Sequence, residues 1–197
     1  MWKPISRAQL PADTVELARF LIGGCLVRNS IEGVTTGRIV ETEAYPIGDS
    51  ASHAFKGPVP RAQAMFLNLG HAYVYLIYGS SYCVNVVSEQ AEIGAAVLIR
   101  ALEPLAGIEI MAARRRGARR IDLARGPGRL TAAMAIDSTF NGLDLCAAGP
   151  LFLSEDGNAA ATVKRSCRIG LTKNADARLR FYEAGSAFLS GPKNLSP

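Results

Sequence analysis

Glu41 and Glu43 stand two positions apart in Gly37-Arg38-Ile39-Val40-Glu41-Thr42-Glu43-Ala44-Tyr45, a segment of β-type composition. Alternate side chains of a strand share a face, so the spacing predicts both carboxylates and Tyr45 on one side, together with Ile39. Two carboxylates where a strand leaves an apolar sheet suit acid–base chemistry, because partial burial and a like-charged neighbour both move proton affinity. The same pair would equally serve as a charged edge that deters pairing with other strands. His53, in the loop 46–60, is one of only two histidines in the chain. It is open to acid–base or recognition work, or to the ordinary life of a solvated loop side chain.

A second constellation is aromatic. Ala72 to Val87 reads as two strands joined at Gly79-Ser80-Ser81, a hairpin. Tyr73 and Tyr75 fall on one face, and cross-strand packing accounts well for Tyr73 and Tyr82. Tyr78 projects from the opposite face at the very end of the strand, where there is little core to join.

Charge adds a third feature. Lys and Arg number 22 against 17 Asp and Glu, giving +5 and a pI near 9.2. Of the cations 17 are Arg, and Arg114, Arg115, Arg116, Arg119, Arg120, Arg125 and Arg129 fall in one short stretch. Guanidinium forks suit phosphate, although a solvated helix face beside a loop would read the same way. Cys25, Cys83, Cys146 and Cys167 are widely spaced, which suggests neither a zinc knuckle nor a redox pair and fits buried thiols. No apolar run approaches the roughly 18 residues of a spanning helix, and Met1-Trp2-Lys3-Pro4 lacks the order of a secretory signal, so a soluble intracellular protein is expected.

These side chains need a frame. Asp13 to Ile22 predicts a helix, with Asp13 as N-cap, Leu17, Phe20 and Leu21 at helical spacing and Gly23-Gly24 as its stop. Strands are predicted at Cys25–Arg28, Thr35–Ala44, Ala72–Tyr78, Tyr82–Ser88 and Ala95–Leu102. Helices follow at Pro104–Arg116 and Gly128–Ile136, then short strands near Leu151–Ser154, Cys167–Leu171 and Leu179–Ala184. At 197 residues one domain is expected over 1–197, with 191–197 a loose tail.

In order along the chain stand Gly37 to Tyr45, Ala51-Ser52-His53, Pro60-Arg61 with Met65-Phe66, the Tyr73 to Asn85 hairpin and Val97 to Pro104. Gly126-Pro127-Gly128-Arg129-Leu130, Arg168-Ile169-Gly170 and Leu179-Arg180-Phe181-Tyr182 follow. Together they closely resemble the alkyladenine (3-methyladenine) DNA glycosylase family over nearly the whole length. The resemblance implies an α+β fold: a single mixed domain with a curved antiparallel β-sheet, peripheral helices and a protruding β-hairpin. It implies a monofunctional base-excision repair enzyme that flips damaged purines (the 3-methyladenine, hypoxanthine and ethenoadenine class) out of duplex DNA and hydrolyses the N-glycosidic bond with water. Neither metal nor other cofactor is implied. The partner is double-stranded DNA carrying damaged purines, with no membrane, and the protein is expected as a monomer in the cytoplasm or nucleoid of a prokaryote or the nucleus of a eukaryote.

Residue by residue, the resemblance makes Glu43 the general base, Arg100 the cation that fixes the water and the flipped nucleotide's backbone, and the Ile169 carbonyl a further water contact. Glu41 takes a supporting structural role. Tyr45 and Tyr75 become the walls between which the base stacks, His53 faces its edge, and Asn85 crowds the exocyclic amino group of guanine. Tyr78 enters the gap left in the duplex. Arg129, with Arg114 and Arg115 from the cluster, is expected on the DNA backbone. Two positions depart from the family pattern: Ala62 follows Arg61 where Asn is common, and the hairpin turn Gly79-Ser80-Ser81 lacks bulky apolar residues. A non-catalytic nucleic-acid-binding module on the same scaffold is the alternative, and intact Glu43 and Arg100 argue against it. A basic protein for some other anionic ligand is the third option, but Gly126-Pro127-Gly128-Arg129 is no nucleotide fingerprint.

Overall fold

The longest strand, β2 (Gly33–Tyr45), carries both carboxylates and organises the rest of the sheet. In the computed structural model, which describes residues 2–155 and 162–192, it is preceded by β1 (Cys25–Ser30) and followed by β3 (Ala72–Ile77), β4 (Ser81–Val87) and β5 (Ala96–Ala106). Three short strands, β6 (Leu151–Ser154), β7 (Val163–Ser166) and β8 (Arg180–Glu183), complete a curved, wholly antiparallel sheet. Its order is β3-β4-β5-β2-β1-β6, with β8 paired to β2 and β7. β5 runs along nearly all of β2; on the other side β1 pairs with 33–38 and β8 with 41–43. The result is a mixed α+β fold, as expected.

Two register irregularities between β2 and β5 flank Glu41, and they leave Val40 and Arg100 without a cross-strand partner in that ladder. Bulges of this kind turn a side chain out of regular alternation. They also correct the predicted face: Ile39 joins the main apolar cluster with Ala44, Ile99 and Leu102, not the side of Glu43. Thr42 faces that same cluster and donates its hydroxyl to the Ala18 carbonyl.

Helix α1 (Thr14–Phe20) starts as predicted, with Asp13 accepting the Val15 and Glu16 amides at 2.9 Å each. Leu17 and Leu21 are buried, whereas Phe20 is largely exposed. The helix predicted from Pro104 is shorter: Pro104 ends in β5, and α2 spans Ile108–Arg114. Gly107 explains the switch, since its φ of 65° is left-handed and a Cβ there would collide with the Val34 carbonyl. Helix α3 (Pro127–Met134) opens on Pro127. The strand predicted at Cys167–Leu171 is instead a turn, because Gly170 takes φ 78° and the Ile169 amide points at a side chain, not at a neighbouring strand. Gly191 and Pro192 close the described chain, and 193–197 of the expected tail lie outside the described residues. No helix among the described residues is long and apolar enough to cross a membrane.

Candidate active site

The carboxylate of Glu43 is fully buried, accepts two hydrogen bonds and forms one ion pair. The Ile169 amide reaches Oε1 at 2.8 Å, the Tyr45 hydroxyl reaches Oε2 at 2.9 Å, and Arg100 Nη1 lies 3.2 Å from Oε2. Oε2 is thus held by a hydroxyl and an ion pair, and Oε1 by the Ile169 amide. Glu43 and Tyr45 meet because they are alternate residues of β2, and Arg100 reaches them from β5 across the irregular register. Burial alone would favour a neutral Arg100, but Glu43 and Glu41 more than reverse this and raise its pKa. Tyr45 is held firmly as a phenol, first by burial and then by the negative charge of Glu43. Ile169 meets Glu43 through its backbone N–H.

Tyr45, which holds this carboxylate, also lines a cavity of about 270 Å³ together with His53, Arg61, Tyr73, Tyr75 and Asn85 among others. Ligand pockets start at roughly 300 Å³, so the volume suits one heterocycle better than a whole nucleotide. Arg168 lies over a face of Tyr45, its guanidinium carbon 4.6 Å from the ring centre. The same guanidinium pairs with buried Asp49, donates to the Ala44 carbonyl at 2.9 Å, and so ties the loop after β2 to the turn that carries Ile169. Tyr75 stacks obliquely on Tyr73 at 5.2 Å and edge-on to His53 at 4.7 Å, and Arg61 covers it at 5.2 Å. Asn85 is buried with its amide anchored on the Tyr73 carbonyl at 2.9 Å, so it presents a fixed group to the cavity.

Tyr73, read from sequence as packing, also meets His53: its hydroxyl lies 2.8 Å from Nδ1. Burial pushes the Tyr73 phenol up to about 12, which keeps it protonated. His53 is exposed along its outer edge, but the side packed on the tyrosines is desolvated. Burial, followed by the charge of Arg61, lowers its pKa and keeps the imidazole neutral near pH 7.

Tyr78 stands outside the cavity, 90% exposed, and begins the hairpin turn instead of ending the strand. Its φ is 52°, a left-handed value unusual for a bulky residue and one that costs on the order of 1–2 kcal/mol. Helix α3 packs closely on this hairpin, since a Cβ on Gly128 would lie 3.0 Å from Ser81 and Thr131 donates to the Tyr82 carbonyl at 2.9 Å. That puts Arg129 beside the hairpin, half exposed. Arg119, Arg125 and Arg129 gather round one carboxylate, Asp122, at 2.7, 3.7 and 3.4 Å, and Arg115 reaches the Asp122 carbonyl at 3.4 Å. The group therefore carries a clear excess of positive charge. Arg114 is placed differently: it is mostly buried, donates from Nε to Glu32 at 3.0 Å and reaches Ser30 and the Ala133 carbonyl, so it serves the fold. Sequence alone assigns no role to Arg168, Asp49 or Arg61, because their importance depends on contacts between distant segments.

Among the described residues no group of three or more His, Cys, Asp or Glu side chains gathers as a metal site. The site thus joins a buried carboxylate flanked by a cation, a cavity lined in part by Tyr45, His53, Tyr73 and Tyr75, and an exposed aromatic beside a set of arginines. The model of the methylpurine-DNA glycosylase family matches residues 8–187, and the chain belongs to that family. It is accordingly an enzyme of the DNA glycosylase class with DNA as its substrate. A relative from Mesorhizobium japonicum, named a candidate 3-methyladenine DNA glycosylase, is 58% identical over 193 residues, covering 98% of this chain and 92% of the relative. Relatives of the same name from Paraburkholderia phytofirmans and Methanoculleus marisnigri are 52% and 46% identical, covering 98% and 90% of this chain and 90% and 94% of their own.

Proposed function

We propose that this enzyme, acting as a monomer, extracts damaged purines of the 3-methyladenine, hypoxanthine and ethenoadenine class from duplex DNA and releases them by hydrolysis. The observation that carries the reading is the buried Glu43 carboxylate, held by the Ile169 amide and by Tyr45, a residue that also lines the cavity of one-base size. As the purine leaves, the sugar turns oxocarbenium-like; a fixed anion stabilises that charge and accepts the proton of an attacking water. General-base help of this kind is worth roughly a hundred- to ten-thousand-fold. The Ile169 carbonyl, next to the amide that fixes Oε1, would complete the water's contacts.

A target base cannot be reached inside the stack, and extruding it costs a few kcal/mol. Stacking between Tyr45 and Tyr75, at about 1–3 kcal/mol per base for such contacts, offsets much of that cost, and Tyr78 fills the gap in the duplex. Neutral His53 faces the edge of the base. The anchored Asn85 amide opposes the exocyclic amino group of guanine, and selection by clash is most effective where the clashing group cannot move away. Arg129, Arg125, Arg119 and Arg115 hold the DNA backbone beside the hairpin, a role the pinned Arg114 does not share.

The deciding experiment is single-turnover incubation with duplexes that each contain one hypoxanthine, one ethenoadenine or one 3-methyladenine. An alkali-labile abasic site is expected from at least one of them. Binding without an abasic product from any of the three would replace the enzyme reading with that of a damage-binding module.

A further inference from the structure

We infer that Ser190, near the C-terminal end of the described chain, and Glu41 form a clamp that positions Arg100 against Glu43. The inference rests on the function proposed above and extends it to residues outside the cavity. Ser190 lies three positions beyond the segment matched by the family model, which ends at residue 187.

Glu41 is fully buried and none of its bonds points to the cavity. Its Oε1 accepts Arg180 Nε at 2.6 Å, the Ser190 hydroxyl at 2.8 Å and Arg100 Nε at 3.1 Å, and its Oε2 accepts the Ser190 amide at 2.6 Å. The Ser190 oxygen, while donating to Glu41, accepts from Arg100 Nε at 3.3 Å and Nη2 at 3.2 Å. Ser190 is itself buried. Glu41, Glu43, Arg100 and Arg180 thus form a buried set of two anions and two cations, and the hydroxyl of Ser190 bridges one member of each sign.

This arrangement decides which part of Arg100 reaches Glu43. A free arginine and a carboxylate in a low-dielectric interior close into a two-pronged pair, the strongest geometry open to them. Here Glu41 and Ser190 occupy Nε and Nη2, so only Nη1 meets Glu43, on Oε2, and Oε1 is spared. Without the clamp, Arg100 turns its fork onto Glu43 and takes up the acceptor position that the water needs. Glu41, Ser190 and Arg180 are therefore positioning residues that act through Arg100.

Glu41→Gln leaves two buried cations short of an anion and endangers folding, so the test is made at Ser190 in the full chain. Ser190→Ala keeps the backbone amide bond to Glu41 and deletes only the bridging hydroxyl; Ser190→Thr restores it. Single-turnover release of ethenoadenine from a duplex is expected to fall about tenfold in Ser190→Ala, the scale of a lost hydrogen bond to a charged group. Affinity for that duplex should stay within about twofold, and Ser190→Thr should recover most of the rate. In parallel, the exchange rate of the Arg100 Nε proton is followed by NMR, with Arg100→Lys used to assign it; it should speed up in Ser190→Ala. A wild-type rate in Ser190→Ala, equal losses in the Ala and Thr variants, or unchanged proton exchange would each overturn the clamp. If the wild type releases no base at all, the proposed function fails, and the proton exchange still judges the clamp.

Discussion

The Tyr45 hydroxyl donates to Glu43 Oε2 at 2.9 Å, so a wall of the aromatic cavity and the buried carboxylate are joined by one hydrogen bond between alternate residues of β2. Tyr45→Phe keeps the ring that lines the cavity and removes the donor that fixes Oε2. Affinity for an ethenoadenine duplex should stay within about threefold while base release slows about tenfold, the cost of losing one hydrogen bond to a charge. Equal losses in binding and release, measured by titration and single-turnover assay, would show the hydroxyl acting on the base itself.

Glu43→Gln keeps an acceptor for the Ile169 amide and loses the charge. Base release is expected to fall at least a hundredfold, with lesion binding retained. Glu43→Asp keeps the charge on a shorter arm and should fall between the two in rate. A Gln variant within tenfold of wild type would remove Glu43 from the role of base.

Much of this site is legible in sequence because it is local. Alternation along one strand places Glu43 beside Tyr45, and a hairpin places Tyr78 at a tip. The signals fail where chain separation is long: Arg168 meets Asp49 across 119 positions, and Ser190 meets Glu41 across 149. They also fail at the irregularities. The bulged register that sends Ile39 to the core and Arg100 to Glu43 leaves no mark in a period of two. Gly107 is different: a glycine is visible inside the helix predicted over Pro104–Arg116, and only its left-handed φ and the collision with Val34 show that it separates strand from helix.

His53 is expected to titrate below its ordinary 6.5, through burial first and then the charge of Arg61. With two histidines in the chain, an imidazole NMR titration resolves it readily. The sign for stability follows: the unfolded chain takes up the proton first, so His53 lowers stability as pH falls below about 6.5, and the loss levels off below the folded value. Arg61→Ala removes the repelling charge and should move the titration upward. A His53 midpoint at or above 6.5 in the wild type would contradict the desolvated packing.

Burial would raise the Asp49 pKa, but Arg168, Asn174 and the Ala51 amide outweigh it, and its carboxyl is held below the usual 3.8. The stability this gives is complete above about pH 4 and is lost as pH falls through the lower folded value. Asp49→Asn leaves Arg168 buried without its anion and should cost about 3–5 kcal/mol in urea unfolding. The gap between the two proteins should shrink in acid. A gap that persists unchanged at low pH would mean that Asp49 acts through packing and not through its charge.

Tyr78 combines 90% exposure with a left-handed backbone that the hairpin turn requires, at a position where a bulky residue is unusual. Strain at an exposed aromatic points to a use outside the core, and the hairpin is braced by α3 as a rigid support would be. Tyr78→Ala removes no buried contact, so unfolding stability should change by no more than about 0.5 kcal/mol. The effect should fall on extrusion. Ethenoadenine brightens when it leaves the base stack, so the flipped fraction can be read directly on a duplex, ideally with the Glu43→Gln protein so that no base is released. Tyr78→Ala in that background should lower the flipping equilibrium about tenfold, because a gap of one base step is left unfilled at a cost of a few kcal/mol. Tyr78→Phe, which keeps the ring, should hold it near the starting value. An unchanged equilibrium in the Ala variant would take Tyr78 out of the duplex and leave its strained, exposed position without a function.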